Sequence, residues 1–263
     1  MNHIIYKFLR WLYQRNSILL KPIKQSYTLL ETPEDKRDYT LFPLEEYVPE
    51  SYIDLRVLLP LPKNQQYIAS CMSHATATLL EGLWHKKYHY TIELSELFHY
   101  YTARDLLGYS KENKGMDMRT GMKVAQKIGI CPEFFCPYDP AKYAEKPHPA
   151  AYTFAKWFKT TKYTRLQNME EMKRVLSLIG IPFVLGVRVT EAFAKHKKRT
   201  PILPLKKDNI RGGHAIVCCG YDDERKAFLI QNSWSRNWGF GGYAWLSYEY
   251  VKKYYMDAWM MEL

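Results

Sequence analysis

Apolar positions along the chain change their period partway. In the first half they recur at three and four residues: Met72, Ala75, Leu79, Leu83 and Trp84 fall on one face of a long helix that starts after Ser70. Segments 92–107 and 117–128 carry the same helical spacing, and Gly129 stops the second. A further helix is predicted around 168–179, leading to the apolar run Ile181 to Val189. The second half then reads as strands in HAIVCCGY (214–221), KAFLIQNSW (226–234) and GGYAWLSY (241–248). Helices first and strands later predict an α+β protein of two lobes.

The start of the chain follows neither pattern throughout. Ile4, Ile5, Phe8, Leu9 and Leu12 sit at helical spacing in a basic, aromatic stretch, which predicts a short amphipathic helix docked on the body. Contact of this arm with a membrane surface is the alternative expectation. Residues 31–63 hold five prolines and acidic turns and read as an extended segment wrapping a surface. The organisation expected is an N-terminal arm, 1–50, retained on a domain formed by 51–263, with a removable propeptide-like element as the other reading.

Composition and charge narrow the function. With 263 residues, 47% hydrophobic and 25% charged, the chain builds a core without needing disulfide staples. Lysine and arginine outnumber the acids by 38 to 27, but much of the excess lies in residues 1–30 and 195–211, so no nucleic-acid partner is expected. The basic stretch Lys195 to Arg199 with Lys206, Lys207 and Arg211 leads into His214 and is expected to border the site as a solvated linker or a steering patch. Lys7 and Arg10 interrupt the opening apolar stretch, unlike a signal-peptide core. With an odd count of five cysteines, reduced thiols and a cytoplasmic setting are expected. Cys131 and Cys136 have no second pair at zinc spacing, so neither a metal nor another cofactor is expected.

One cysteine has a distinctive setting. Cys71 opens the long helix, where partial positive charge and free amides favour a thiolate. Thiol catalysis also needs a histidine to exchange protons and a polar group to fix its tautomer. His214 follows Gly212 and Gly213 at a strand start, 143 residues after Cys71, and Asn232 ends the next strand eighteen residues later. Trp234 is placed to shield the His214–Asn232 hydrogen bond, and Gln65, six residues before Cys71, to offer an amide donor to an oxyanion beside the Cys71 N–H. His74, one turn after Cys71, is the competing base, and its helical offset points it along the flank.

These blocks, LysAsnGln at 63–65, SerCys at 70–71, GlyHisAla at 213–215 and AsnSerTrp at 232–234 with its following TrpGly and GlyGlyTyr, resemble the papain family of cysteine peptidases. LysArgAspTyr at 36–39, AspLeuArg at 54–56 and LeuSerGluLeu at 94–97 are similar to disulfide-free bacterial members. The resemblance implies a helical lobe and a β-rich, barrel-like lobe with the site between them. It implies Cys71 as nucleophile, His214 as acid/base, Asn232 as orienter and Gln65 as oxyanion donor, acting on a peptide or protein substrate. Gly115, Met116 and Asp117, within the stretch up to Arg119, and Gly213 are the candidate substrate-binding residues. The chain departs from the family pattern at Gln66, Ile68, Ala69, Met72 and Ser235. An acyl transferase or deamidase using the same site, or a catalytically silent binding module, are the alternatives.

Overall fold

The computed structural model describes residues 25–41, 48–196, 202–203, 205 and 209–263. In chain order its elements are β1 (Tyr52–Asp54), α1 (Cys71–Tyr88), α2 (Glu96–Leu106), α3 (Met118–Lys127), α4 (Pro149–Ala155) and β2 (Lys162–Arg165). They continue as α5 (Met169–Arg174), β3 (Phe183–Thr190), α6 (Glu191–Ala194), β4 (Ile202–Leu203), β5 (Ile210–Asp222) and β6 (Ala227–Gln231). The last are β7 (Tyr243–Ser247), α7 (Tyr248–Tyr254) and β8 (Tyr255–Glu262). The α+β expectation holds, with helices concentrated before residue 160 and strands after it. The predicted amphipathic helix over residues 4–12 lies outside the described residues.

Local sequence sets where the helices begin. Ser95 accepts from the Phe98 amide and Asp117 from the Thr120 amide, so α2 and α3 start where a short polar side chain satisfies an otherwise free first-turn donor. The capping of α2 delays it to Glu96, while Leu94 pairs instead with Pro132 in an isolated bridge. The helix predicted around 168–179 is split. After α5 the backbone widens into a π-helical turn over Val175–Ile179, closed by Gly180, and the Lys86 ammonium takes the free carbonyls of Ile179 and Gly180.

Strand order is β2-β8-β3-β5-β6-β7-β4, with β1 paired to β5. β5 is the longest strand and nearly all of it is buried, because α1 packs over it. Every residue of α1 from Cys71 to Leu83 is buried, which removes the one-sided pattern expected of a surface helix and marks α1 as the central helix. Val187 on β3 is opposite His214 on β5, and Val217 is opposite Gln231 on β6. That register carries Asn232, the residue after β6, back toward His214.

Candidate active site

Cys71 is the first residue of α1, and the cap position before it, Ser70, makes no side-chain cap. The first-turn amides therefore stay available. Backbone N–H groups of Ala215, Met72 and Cys71 itself approach the sulfur, and the Ala215 contact places it against β5 one residue after His214. His214 is fully buried and Cys71 is 1% exposed.

The imidazole is orientated without ambiguity. His214 Nε2 lies 2.8 Å from Asn232 Oδ1, which also accepts the Ser233 amide at 2.8 Å. An amide oxygen only accepts, so Nε2 carries the proton of the neutral ring and Nδ1 keeps a lone pair. Nδ1 is buried and has no hydrogen-bond partner. Trp234 stacks on the ring at 4.5 Å between centroids and 27° between planes, and Phe193 and Trp238 pack edge-on against Trp234. Water is thereby kept from the His214–Asn232 bond.

Gln65 is held from both ends. Its side-chain oxygen accepts from Ser233 Oγ at 2.7 Å, its side-chain nitrogen donates to the Ile68 carbonyl at 3.2 Å, and its amide donates to the Ser233 carbonyl at 2.8 Å. One proton of the carboxamide nitrogen remains uncommitted. Gln66, its neighbour, adopts φ of 56°, a left-handed conformation rare for a residue with a Cβ.

A strap from the N-terminal arm crosses the site. The Leu29 amide donates to the Gly213 carbonyl at 3.0 Å and the Leu30 amide to the Met116 carbonyl at 3.1 Å, so one short segment bonds to both walls. The walls are bare where it passes. A Cβ on Gly115 would stand 1.6 Å from the Thr28 oxygen, and one on Gly213 would stand 2.5 Å from the Leu29 oxygen. Leu29 is buried, and its methyl lies so close to Gly186, beside Met118, that a Cβ there would come within 2.9 Å of it. Gly115, Met116 and Gly213 thus line the groove holding the strap. Asp117 follows them, with its carboxylate engaged by the Thr120 amide and hydroxyl. Further along, Asp38 pairs with Arg119 through two contacts of 2.7 and 2.5 Å and lies 3.6 Å from Arg165, which also binds Asp257.

Burial sets the electrostatics of this covered site. It pushes the Cys71 thiol up to about 11, against the pull of the three amides. It also pushes the His214 imidazole down to about 4, opposed by the Asn232 hydrogen bond and assisted by His74. Both shifts favour a neutral thiol beside a neutral imidazole. Beneath α1, Lys63 bridges Glu81 at 2.7 Å and Glu96 at 2.5 Å; burial opposes its charge, and the two carboxylates outweigh that and hold it protonated. Burial lifts Glu81 to about 7 despite Lys63. His74 is packed at 2% exposure, with Nδ1 3.0 Å from the Ser70 carbonyl.

Sequence reasoning therefore nominated side chains that the fold brings together. It missed Ser233 and Tyr138, whose contacts with Gln65 are made across the fold, and Ser70, which bonds Tyr138; only the adjacency of Ser233 to Asn232 offered a signal. Of the basic stretch, Lys195 and Arg211 both pair with Glu191 and His196 is buried, while Lys197, Lys198, Arg199, Lys206 and Lys207 lie outside the described residues. All five cysteines are free thiols. Among the described residues, no group of three or more His, Cys, Asp or Glu is placed to hold a metal ion.

Residues 50–260 match the model of the papain family of cysteine proteases, and the chain belongs to that family. It is a cysteine peptidase with the papain-like α+β fold. The crystal structure of xylellain, a cysteine protease from Xylella fastidiosa, superposes with a TM-score of 0.82 at 32% identity, covering 93% of this chain and 98% of that one. An uncharacterized peptidase C1-like protein of Acanthamoeba polyphaga mimivirus is 31% identical over 91% of this chain and 88% of its own length. Mouse cathepsin K is 28% identical over 94% of this chain and 72% of its own.

Proposed function

We propose that the protein hydrolyses peptide bonds through a Cys71 acyl-enzyme. The observation that carries this reading is the His214 tautomer: Asn232 holds the Nε2 proton, so buried, unpartnered Nδ1 offers its lone pair as the base, on the strand whose next residue, Ala215, contacts the Cys71 sulfur. The thiol proton passes to Nδ1 as sulfur bonds to the scissile carbonyl carbon and the C=O electrons move to oxygen. The remaining Gln65 carboxamide proton and the Cys71 amide hold that oxyanion. Its collapse breaks the C–N bond, and the departing amine takes the proton from His214. Water then adds to the thioester, giving His214 a proton that returns to sulfur when the C–S bond breaks.

The strap indicates how a substrate lies. Its main chain bonds to Gly213 and Met116, and Leu29 fills the space bounded by Gly186 and Met118. We take the substrate to be an extended polypeptide with an apolar side chain in that space, and the strap-covered state to be resting. Mass spectrometry of a peptide treated with the wild type and with Cys71→Ala tests the reaction. Cleavage with addition of one water by the wild type alone is expected; products carrying a captured amine, or equal cleavage by both proteins, would overturn the reading.

A further inference from the structure

A pair of hydroxyls lies next to the two proposed oxyanion donors and takes no part in the steps above. Tyr138 sits in the turn after Cys136, and its hydroxyl is 2.7 Å from the Gln65 carbonyl and 3.0 Å from Ser70 Oγ. A carbonyl only accepts, so the single phenolic proton belongs to Gln65, and the Ser70 hydroxyl donates to the phenol oxygen. His74 closes the group: its Nδ1 is 3.0 Å from the Ser70 carbonyl, again an acceptor only, so that nitrogen carries a proton. The Tyr138 ring packs edge-on against His74 at 4.8 Å. The burial of its hydroxyl holds the phenol far above its usual pKa, so it remains a neutral donor through the neutral range.

The two residues bound by this phenol are those whose spacing matters. Gln65 carries one proposed donor, and Ser70 is bonded directly to Cys71, whose amide is the other. Regular secondary structure holds Ser70 through its carbonyl alone, which accepts the His74 amide at 3.0 Å in the first bond of α1, and does not reach Gln65. Gln65 precedes the left-handed Gln66, and Ser70 caps α1 only with its backbone. Within the loop 65–71 the Gln66 amide bonds Asn64 Oδ1 and the Ala69 amide bonds Asn113 Oδ1, while the Tyr138 hydroxyl joins Gln65 directly to Ser70.

Resting on the proposed oxyanion reading, we propose that the Tyr138 hydroxyl is a positioning group: by gripping the Gln65 carbonyl and the Ser70 side chain together, it sets the distance between the Gln65 carboxamide and the Cys71 amide. Such a group acts on the transition state more than on the bound substrate, because the oxyanion exists only there. Removing a direct oxyanion donor costs on the order of 10²–10³ in rate, so a tilted donor should cost roughly tenfold.

Tyr138→Phe in the full-length chain tests this. The expected result is a kcat lowered about tenfold with KM within about twofold, and a peptide aldehyde, whose hemithioacetal oxygen occupies the same place, bound about tenfold more weakly. Alkylation of Cys71 by iodoacetamide forms no oxyanion and should keep its wild-type rate. Ser70→Ala, which removes the other arm of the grip, should move kcat and aldehyde binding in the same direction by less. Gln65→Ala separates the two ideas. If it leaves kcat unchanged, the oxyanion reading fails and this proposal with it. If it lowers kcat while Tyr138→Phe and Ser70→Ala leave kcat and aldehyde binding at wild-type values, the positioning role alone is overturned. It is also overturned if alkylation slows in parallel with kcat, the mark of general loosening.

Discussion

The main-chain N–H of Leu29 donates to the carbonyl of Gly213, the residue before His214, at 3.0 Å. The strap is thereby registered on the strand that carries the proposed base. Beside these backbone bonds and Leu29, Tyr27 packs edge-on against Trp234 and Glu31 pairs with Arg188, while a buried charged anchor lies nine residues further on.

That anchor is Asp38. Its side chain is 8% exposed between Arg119 and Arg165, and removing one partner of a buried pair leaves uncompensated charge. Asp38→Ala should loosen the strap: about 1.4 kcal/mol of lost docking raises the uncovered population about tenfold. Iodoacetamide labelling of Cys71 at pH 7 should accelerate accordingly. An unchanged rate would show that the strap is held elsewhere.

Covering should also depend on pH through His214. Its pKa is about 4 when covered and roughly 6.5 when solvated, so the uncovered form binds more protons between those values. The covered state is fully favoured above about pH 6.5 and loses up to about 1.4 kcal/mol for each unit of acidification toward pH 4. Amide hydrogen exchange at residues 27–30, corrected for intrinsic rates, should therefore show falling protection from pH 7 to 4.5. His214→Ala should flatten that dependence, and a dependence equally steep in the variant would refute the linkage.

Turnover separates the two histidines near Cys71. His214→Ala should lower kcat by roughly 10²–10⁴, the range of a general acid–base group, and Asn232→Ala by less because it fixes a tautomer and transfers no proton. His74→Ala should be milder than His214→Ala, since the His74 Nδ1 proton is engaged by the Ser70 carbonyl. The reverse order would reassign the base.

Lys63 is expected to act on stability. Lys63→Met leaves Glu81 and Glu96 buried without their cation, at a cost of about 3–5 kcal/mol. Without Lys63 both carboxyl groups should have folded pKa values above their unfolded ones, so the protonated forms are tolerated and the loss grows as pH rises from the unfolded values to the folded ones. Urea unfolding at pH 5 and pH 8 checks this. A deficit independent of pH would mean that packing, and not charge, explains it.

Gly186→Val should narrow the space that holds Leu29, because even a Cβ meets Met118 Sδ at 2.7 Å and Leu29 Cδ2 at 2.9 Å. Cleavage of a peptide with leucine in that space should fall more than cleavage of one with alanine. Equal effects on the two peptides would remove Gly186 from the pocket.

The sequence could nominate Cys71, His214 and Asn232 because each stands at an element boundary with local signals: a helix start, a Gly-Gly strand entry, a strand end. Their convergence follows from the pairing of adjacent strands and from α1 packing on β5. Tyr138 had no such signal. It lies in a turn, and its partners are 68 and 73 residues away, so only tertiary packing shows what it touches. Residues 31–63 were legible as extended chain from their prolines, but the strap at residues 27–30 lies just before them and its course was not. Its main-chain bonds use groups that nearly every residue possesses, so no side-chain pattern marks them. The acidic network beneath α1 was overlooked for a related reason, since Lys63, Glu81 and Glu96 come from three separate segments.

Asn232 and Ser233 are consecutive, one gripping the imidazole and the other the Gln65 carboxamide. Their Cα atoms are about 3.8 Å apart by covalent geometry alone. The proton carrier and the oxyanion donor therefore hang from a single link of the chain, like two hands on one bar. Breathing between the lobes would carry them together past the sulfur, so the degree of freedom that matters to turnover is the position of α1 relative to that link.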